Sequence, residues 1–171
     1  TGVQTCALPI WHGNTDLIMA IIKLVEDKMN ADEDIREGGV QAILLVEDSI
    51  RYYSNYLPEL YKIVLTQSRE FLTESLNDDQ KKYRKRSRPK IFLATCLEEA
   101  IAYFEKYRRN LLGVISDVGM VFHKGDDPKT EKLDAGIDLV RIIREYDPLM
   151  PVLLQSSQGS LAKTAAELGV G

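Results

Sequence analysis

The stretch Leu111-Leu112-Gly113-Val114-Ile115-Ser116-Asp117 is an apolar run of strand length that stops at a single carboxylate. Two other runs have the same form: residues 43–46 stop at Glu47 and Asp48, and residues 152–154 stop at polar side chains. Short apolar runs bounded by polar residues are typical of strands buried on both faces of a parallel sheet. The sequence therefore predicts such a sheet, with polar groups at the ends of its strands.

The polar side chains at these strand ends are expected to converge, because ligands of parallel sheets bind at the carboxyl ends of the strands. Carboxylates from Glu47, Asp48 and Asp117 that meet at one edge repel one another and need a cation. Oxygen ligands completed by water suit Mg²⁺. Asp117 can then act as a nucleophile that forms an acyl phosphate, and the Ser156 hydroxyl can bond the phosphate oxygens.

Strands and helices alternate along the chain. The strands are predicted at about 41–46, 91–94, 111–116 and 152–155, and the helices at about 50–72, 98–109, 136–145 and 160–168. Pro58 is expected to kink or restart the first of these helices. The alternation predicts an α/β fold with a parallel sheet and right-handed crossover connections.

Five segments, taken in order, resemble the receiver domain of bacterial response regulators, and the resemblance covers about residues 40–171. The acidic pair lies in 43–49, the phosphoacceptor in 114–117, the third helix in 134–144, the switch-hydroxyl strand in 151–157, and the end of the fourth helix in 166–171. The resemblance implies a flavodoxin-like, doubly wound parallel sheet with strand order 2-1-3-4-5.

The resemblance also implies a mechanism. Mg²⁺ would be bound by Asp48, Asp117 and the backbone carbonyl of Gly119, with Glu47 assisting. Asp117 would accept a phosphoryl group from a histidine kinase or a phosphotransfer protein, and Ser156 would be the switch hydroxyl. The output would come from a downstream domain in the same chain. On this interpretation the domain is a regulatory phosphoacceptor in a phosphorelay and is not itself an enzyme.

The sequence departs from the family pattern in three places. The first helix and the loop after Asp117 are enlarged, and Met120 is followed by Val121 where the family usually has proline. The chain also stops before the fifth strand, its lysine and the fifth helix, so 38–171 is interpreted as a C-terminally truncated receiver domain. The tyrosine-rich first helix and residues 110–117 resemble the second of two tandem receivers in large proteins with a pyruvate, phosphate dikinase or phosphoenolpyruvate-synthase-like module.

The N-terminal region is interpreted as lying outside this domain. Residues 1–10 resemble the translation of a sequencing-adapter read and are set aside as non-native. Apolar residues recur at helical spacing over 15–29, which predicts an amphipathic helix, and the polar residues 30–38 predict a linker. Residues 11–37 are therefore expected to be the last helix of an upstream domain followed by a linker.

Composition excludes several classes of protein. A net charge of −4 over 171 residues argues against a general nucleic-acid binder, and the apolar stretches are too short to span a membrane. The basic residues of 81–90 are expected to be a solvated helix end, the alternative being a phosphate or nucleic-acid patch. Cys6 and Cys96 are too few for a disulfide framework, so a cytoplasmic location is expected.

Two other functions stay open at this point. A pseudo-receiver, acting as a docking or dimerisation module without phosphorylation, is favoured by the altered loop and opposed by the three acids. An aspartate-nucleophile phosphatase usually has a second carboxylate two residues after the nucleophile, where Gly119 stands here. In the same loop, His123, Asp126 and Asp127 are expected to be turn or solvated residues rather than phosphodonor or metal contacts.

Overall fold

The sheet has four parallel strands. The computed structural model describes residues 15–73, 88–156 and 166–170. Within them, the strands are β1 (Ala42–Val46), β2 (Lys90–Ala94), β3 (Leu111–Asp117) and β4 (Val152–Gln155). Their order in the sheet is β2-β1-β3-β4, and all three pairings are parallel. This order confirms the predicted α/β, flavodoxin-like arrangement for these strands, and each strand begins and ends within one residue of its predicted bounds.

Helices cover both faces of the sheet. They are α1 (Thr15–Gly38), α2 (Ile50–Thr73), α3 (Leu97–Tyr107) and α4 (Ala135–Tyr146), with a short 3₁₀ helix at Pro128–Thr130. Alternate strand residues point to opposite faces. Leu44 and its neighbours pack with α3 and α4 on one face, and Leu45 and its neighbours pack with α1 and α2 on the other. The sheet is therefore doubly wound.

Of the two effects expected of Pro58, the restart of the first long helix is wrong, because α2 continues through it, and the kink stays a prediction. Proline in a helix interior removes one backbone hydrogen bond and costs about 3 kcal/mol. Leu57, Tyr61 and Val64 on the flanking turns are buried in the core, and burial of such side chains contributes about 1.5–3 kcal/mol each. The packing of this face therefore offsets the cost of the proline.

The prediction of a linker at 30–38 is also wrong, because α1 runs without a break to Gly38. Ala31 is buried and Ile35 packs against the same core cluster, so this polar segment has an apolar stripe at helical spacing. The helix ends where Gly39 takes a positive φ of 61° and donates its N–H to the carbonyl of Ile35 at 3.0 Å.

A buried ionic network holds α1 against the outer edge of β2. Asp27 is fully buried, and its Oδ2 accepts hydrogen bonds from the Tyr61 hydroxyl at 2.9 Å and from Arg88 Nη1 at 3.0 Å. The same oxygen accepts the backbone N–H of Ile91, an edge-strand donor, at 3.0 Å. Edge strands expose unpaired backbone groups, and here α1 covers one. The assignment of α1 to an upstream domain stays a prediction; in the structure this helix packs on the sheet.

Part of the basic stretch 81–90 belongs to this network. Arg88 and Lys90 are buried, and Lys90 Nζ lies 2.5 Å from Asp34 Oδ2. These two cations therefore pair with α1 rather than forming a solvated helix end or a phosphate patch. Residues 81–87, the peptide 1–10 and most of the helix predicted at 160–168 lie outside the described residues. Among the described helices, none combines the length and the apolar character that a membrane span requires.

Candidate functional site

Three carboxylates meet at the carboxyl edge of the sheet. Val46, the last residue of β1, pairs with Ser116, so Glu47 and Asp48 emerge beside Asp117 at the end of β3. Carboxylate oxygens of Glu47, Asp48 and Asp117 all lie within 4.8 Å of one another. The convergence expected from the sequence is therefore present in the structure. The roles of these side chains as metal ligands and phosphoacceptor stay predictions.

The backbone fixes the orientation of the Asp117 carboxylate. Its Oδ1 accepts the N–H of Val118 at 2.7 Å, and the N–H of Gly119 also bonds to this carboxylate. The same N–H of Val118 also donates to the carbonyl of Gln155 at 3.1 Å, so it is shared between two acceptors. Gln155 is the register partner of Asp117 on β4. The Ser116 side chain is buried, and its hydroxyl donates to the carbonyl oxygen of Asp117 at 2.7 Å.

The start of α4 backs directly onto this strand end. The N–H of Gly136 donates to the carbonyl of Val118 at 2.8 Å. A Cβ atom added to Gly136 would overlap the carbonyl oxygen of Asp117 and would lie only 2.9 Å from the Cα of Val118. Both neighbours are backbone atoms that cannot rotate away. The position therefore requires glycine because of close approach, with no demand on its φ angle.

We expect Gly136→Ala to lower the free energy of unfolding by about 1–3 kcal/mol, since an added methyl group forces the backbone at Asp117 to shift. Urea denaturation measures the change. The matched control is Gly38→Ala, where the nearest atom to the added Cβ is Val40 Cγ2, a side-chain atom at 3.3 Å. Equal losses in the two variants would contradict the close packing at Gly136.

Burial raises the pKa values of all three carboxyl groups, and repulsion by neighbouring carboxylates adds to the shifts of Glu47 and Asp117. Burial, followed by Asp117 and Asp48, raises the pKa of Glu47 to about 7, although the N–H of Ser49 acts in the opposite direction at 3.1 Å. Burial likewise raises the pKa of Asp48, against a hydrogen bond from the N–H of Val121. For Asp117, burial and then Asp48 raise the pKa. The folded chain thus brings together negative charge that a bound cation would neutralise.

The donor set fits Mg²⁺. All the converging ligands are carboxylate oxygens, which match the preference of this hard cation. Glu47 is buried, whereas Asp48 and Asp117 are partly exposed, so an ion that keeps several waters can approach from solvent. Mg²⁺ bound here would supply charge neutralisation for an incoming phosphoryl group. The predicted part of the Gly119 carbonyl in this site stays a prediction.

The structure brings to the site a fourth carboxylate that the sequence pattern does not predict. Glu131 lies in the loop before α4, and its Oε1 occupies the space that a Cβ on Gly119 would fill. Burial, and then Asp48 and Asp117, raise the pKa of Glu131, which places its charge beside theirs. No spacing rule points to a residue this far along a loop, so only the fold reveals it.

The other singled-out loop residues do not join the site. Asp126 Oδ2 accepts the N–H of His123 at 2.9 Å, and Asp127 Oδ1 accepts the N–H of Lys129 at 3.0 Å. The His123 ring lies 3.1 Å from Glu98 on α3. Asp126 and Asp127 therefore have the turn roles that the sequence predicts, whereas His123 pairs with Glu98. The carboxylate that this loop brings to the site is Glu131.

Ser156 follows β4 directly and is exposed. The preceding residue, Gln155, is in register with Asp117, so Ser156 continues the neighbouring strand beyond the carboxylate site. Its role as a switch hydroxyl stays a prediction.

Comparison with known proteins gives two distant structural similarities. No protein-family model matches the chain, and no curated protein matches it. The crystal structure of the CheX-CheY-BeF3-Mg²⁺ complex from Borrelia burgdorferi is similar over 79% of this chain and 78% of that chain, at 20% identity and a TM-score of 0.45. A response regulator receiver domain protein from Clostridium thermocellum is similar over 76% of this chain and 75% of its own, at 19% identity and a TM-score of 0.42.

Proposed function

We propose that this protein is a receiver-type phosphoacceptor domain of a phosphorelay. The observation that carries the proposal is the meeting of Glu47, Asp48 and Asp117 within 4.8 Å at the carboxyl edge of a sheet ordered β2-β1-β3-β4. Asp117 accepts the phosphoryl group, and Mg²⁺ is the cation that this oxygen site takes. The domain is regulatory, and a downstream part of the full protein gives the output.

Phosphoryl transfer asks little of the protein beyond position and charge neutralisation. The Val118 N–H holds one oxygen of Asp117, which orients the carboxylate for in-line attack. A carboxylate oxygen forms a bond to phosphorus as the bond between phosphorus and the donor's histidine nitrogen breaks. The phosphorylated site then gains a hydrogen bond from Ser156, which biases the region after β4 towards a second arrangement.

The donor is a histidine kinase or a phosphotransfer protein that presents a phosphohistidine. The tandem-receiver context, with a dikinase-like module downstream, and the non-native origin of residues 1–10 stay predictions. A pseudo-receiver that docks or dimerises without phosphorylation is the alternative outcome of the test below.

The test is intact-mass measurement after incubation with acetyl phosphate, with and without Mg²⁺. We expect wild type to gain one phosphoryl group only when Mg²⁺ is present, and Asp117→Asn to gain none. Asp127→Asn, which changes a carboxylate of the loop turn, serves as the matched control and is expected to behave as wild type. A folded wild type that gains no mass in Mg²⁺ would favour the pseudo-receiver.

A further inference from the structure

The position two residues after Asp117 has no side chain, and the side chain of a loop residue, Glu131, occupies the space there. Gly119 stands at this position, and Glu131 Oε1 fills the space where a side chain of residue 119 would begin. A carboxylate therefore lies beside Asp117 in the place from which an acidic residue two positions after the nucleophile would act. The proposed phosphoacceptor function does not use this carboxylate.

The backbone around Glu131 is held in place rather than free. Met120 and Lys132 form an antiparallel bridge, with N–H to carbonyl distances of 3.0 and 3.2 Å. The Lys132 side chain pairs with Asp138 in the first turn of α4. Met120 directly follows Gly119, and Lys132 directly follows Glu131. The bridge between them therefore holds the Glu131 carboxylate close to Gly119.

Glu131 lies next to the three converging carboxylates but is not one of them. Among the described residues, Glu47, Asp48 and Asp117 form the group whose carboxylate oxygens lie within 4.8 Å of one another, and Glu131 is not part of that group. Its side chain is exposed, and it interacts electrostatically with Asp48 and Asp117. A carboxylate at the solvent side of a phosphoacceptor can bond a water molecule that approaches the phosphorus atom.

We propose that Glu131 orients the water that hydrolyses phospho-Asp117 and thereby sets the lifetime of the phosphorylated state; this inference rests on the proposed function. The water oxygen bonds to phosphorus, and the bond between phosphorus and the Asp117 oxygen breaks. Glu131 accepts a proton of the attacking water and passes it to solvent. The products are inorganic phosphate and the free Asp117 carboxylate, and no further reactant is needed.

The experiment follows the decay of the phosphorylated protein. Wild type, Glu131→Gln, Glu131→Asp and Asp127→Asn are loaded with acetyl phosphate and Mg²⁺, freed of donor by desalting into the same Mg²⁺ buffer, and followed by intact mass. We expect Glu131→Gln to lengthen the half-life by about 10²-fold, the lower end for a lost general base. Glu131→Asp should restore part of the rate, and Asp127→Asn should decay as wild type does.

Calorimetric titration with Mg²⁺ separates this role from a metal-binding one. We expect Glu131→Gln to bind Mg²⁺ as wild type does. An unchanged half-life overturns the inference, as does a longer half-life that comes with a lost affinity for Mg²⁺. Faster loading at an unchanged half-life also overturns it, because Glu131 would then act only as a repulsive charge. A wild type that takes no phosphoryl group overturns the proposed function and, with it, this inference.

Discussion

Asp27→Ala is expected to lower the free energy of unfolding by about 3–5 kcal/mol, because it removes one partner of a buried charge network. Asp27 Oδ1 lies 2.6 Å from Arg88 Nη2, and both side chains are almost fully buried. After the substitution, Glu26 at 3.5 Å is the carboxylate that still pairs with Arg88 within the described residues. The backbone N–H of Ile91 also loses its acceptor. Urea denaturation at neutral pH measures the loss.

Asp32 on the same helix provides the matched control. It pairs with Lys106 at 2.7 Å and with the Tyr107 hydroxyl at 2.6 Å, but Asp32 and Lys106 are exposed. Exposed ion pairs contribute about 0–1 kcal/mol, so Asp32→Ala should change stability little. Similar losses in the two variants would show that burial of the Asp27 network does not stabilise the packing of α1 on β2.

The protein free of Mg²⁺ is expected to lose about 2–3 kcal/mol of stability between about pH 5 and about pH 8 through Glu47. The pKa of Glu47 is about 7 in the folded protein against its ordinary 4.5, so the folded state binds the proton more tightly. The stabilisation is complete below the unfolded pKa and is lost as pH rises through the folded one. The raised pKa values of Asp48 and Asp117 act in the same direction.

Glu47→Gln isolates this contribution, since an amide keeps the shape of the side chain and cannot ionise. We expect the variant to show a shallower loss of stability over the same pH range in urea denaturation without metal. Adding Mg²⁺ at about pH 8 should raise the free energy of unfolding of the wild-type protein, because a ligand that binds only the folded state stabilises that state. A wild type whose stability is flat across this range would contradict the charge repulsion at the site.

The sheet and its three strand-end carboxylates could be predicted because both rest on local sequence. Continuous apolar runs mark strands buried on both faces, and parallel strands bring their carboxyl ends to one edge. The sequence therefore predicts that Glu47, Asp48 and Asp117 meet, and in the structure their carboxylate oxygens lie within 4.8 Å of one another.

The parts that could not be predicted depend on contacts between distant segments. Asp27 and Arg88 lie 61 residues apart in the chain, and nothing in either local sequence distinguishes a buried charge from a solvated one. The helical extension of α1 over 30–38 depends on the burial of Ala31 against the core, a tertiary contact that overrides the polar composition. Glu131 reaches the site only because the Met120–Lys132 bridge folds the loop back.

The most direct measurement identifies which residue carries the phosphoryl group. The protein is loaded with acetyl phosphate in Mg²⁺, the acyl phosphate is reduced with borohydride to homoserine, and the peptides are sequenced by mass spectrometry. The account predicts homoserine at position 117 and at no other aspartate. Homoserine at another position, or a phosphorylated protein that borohydride does not reduce, would contradict Asp117 as the phosphoacceptor.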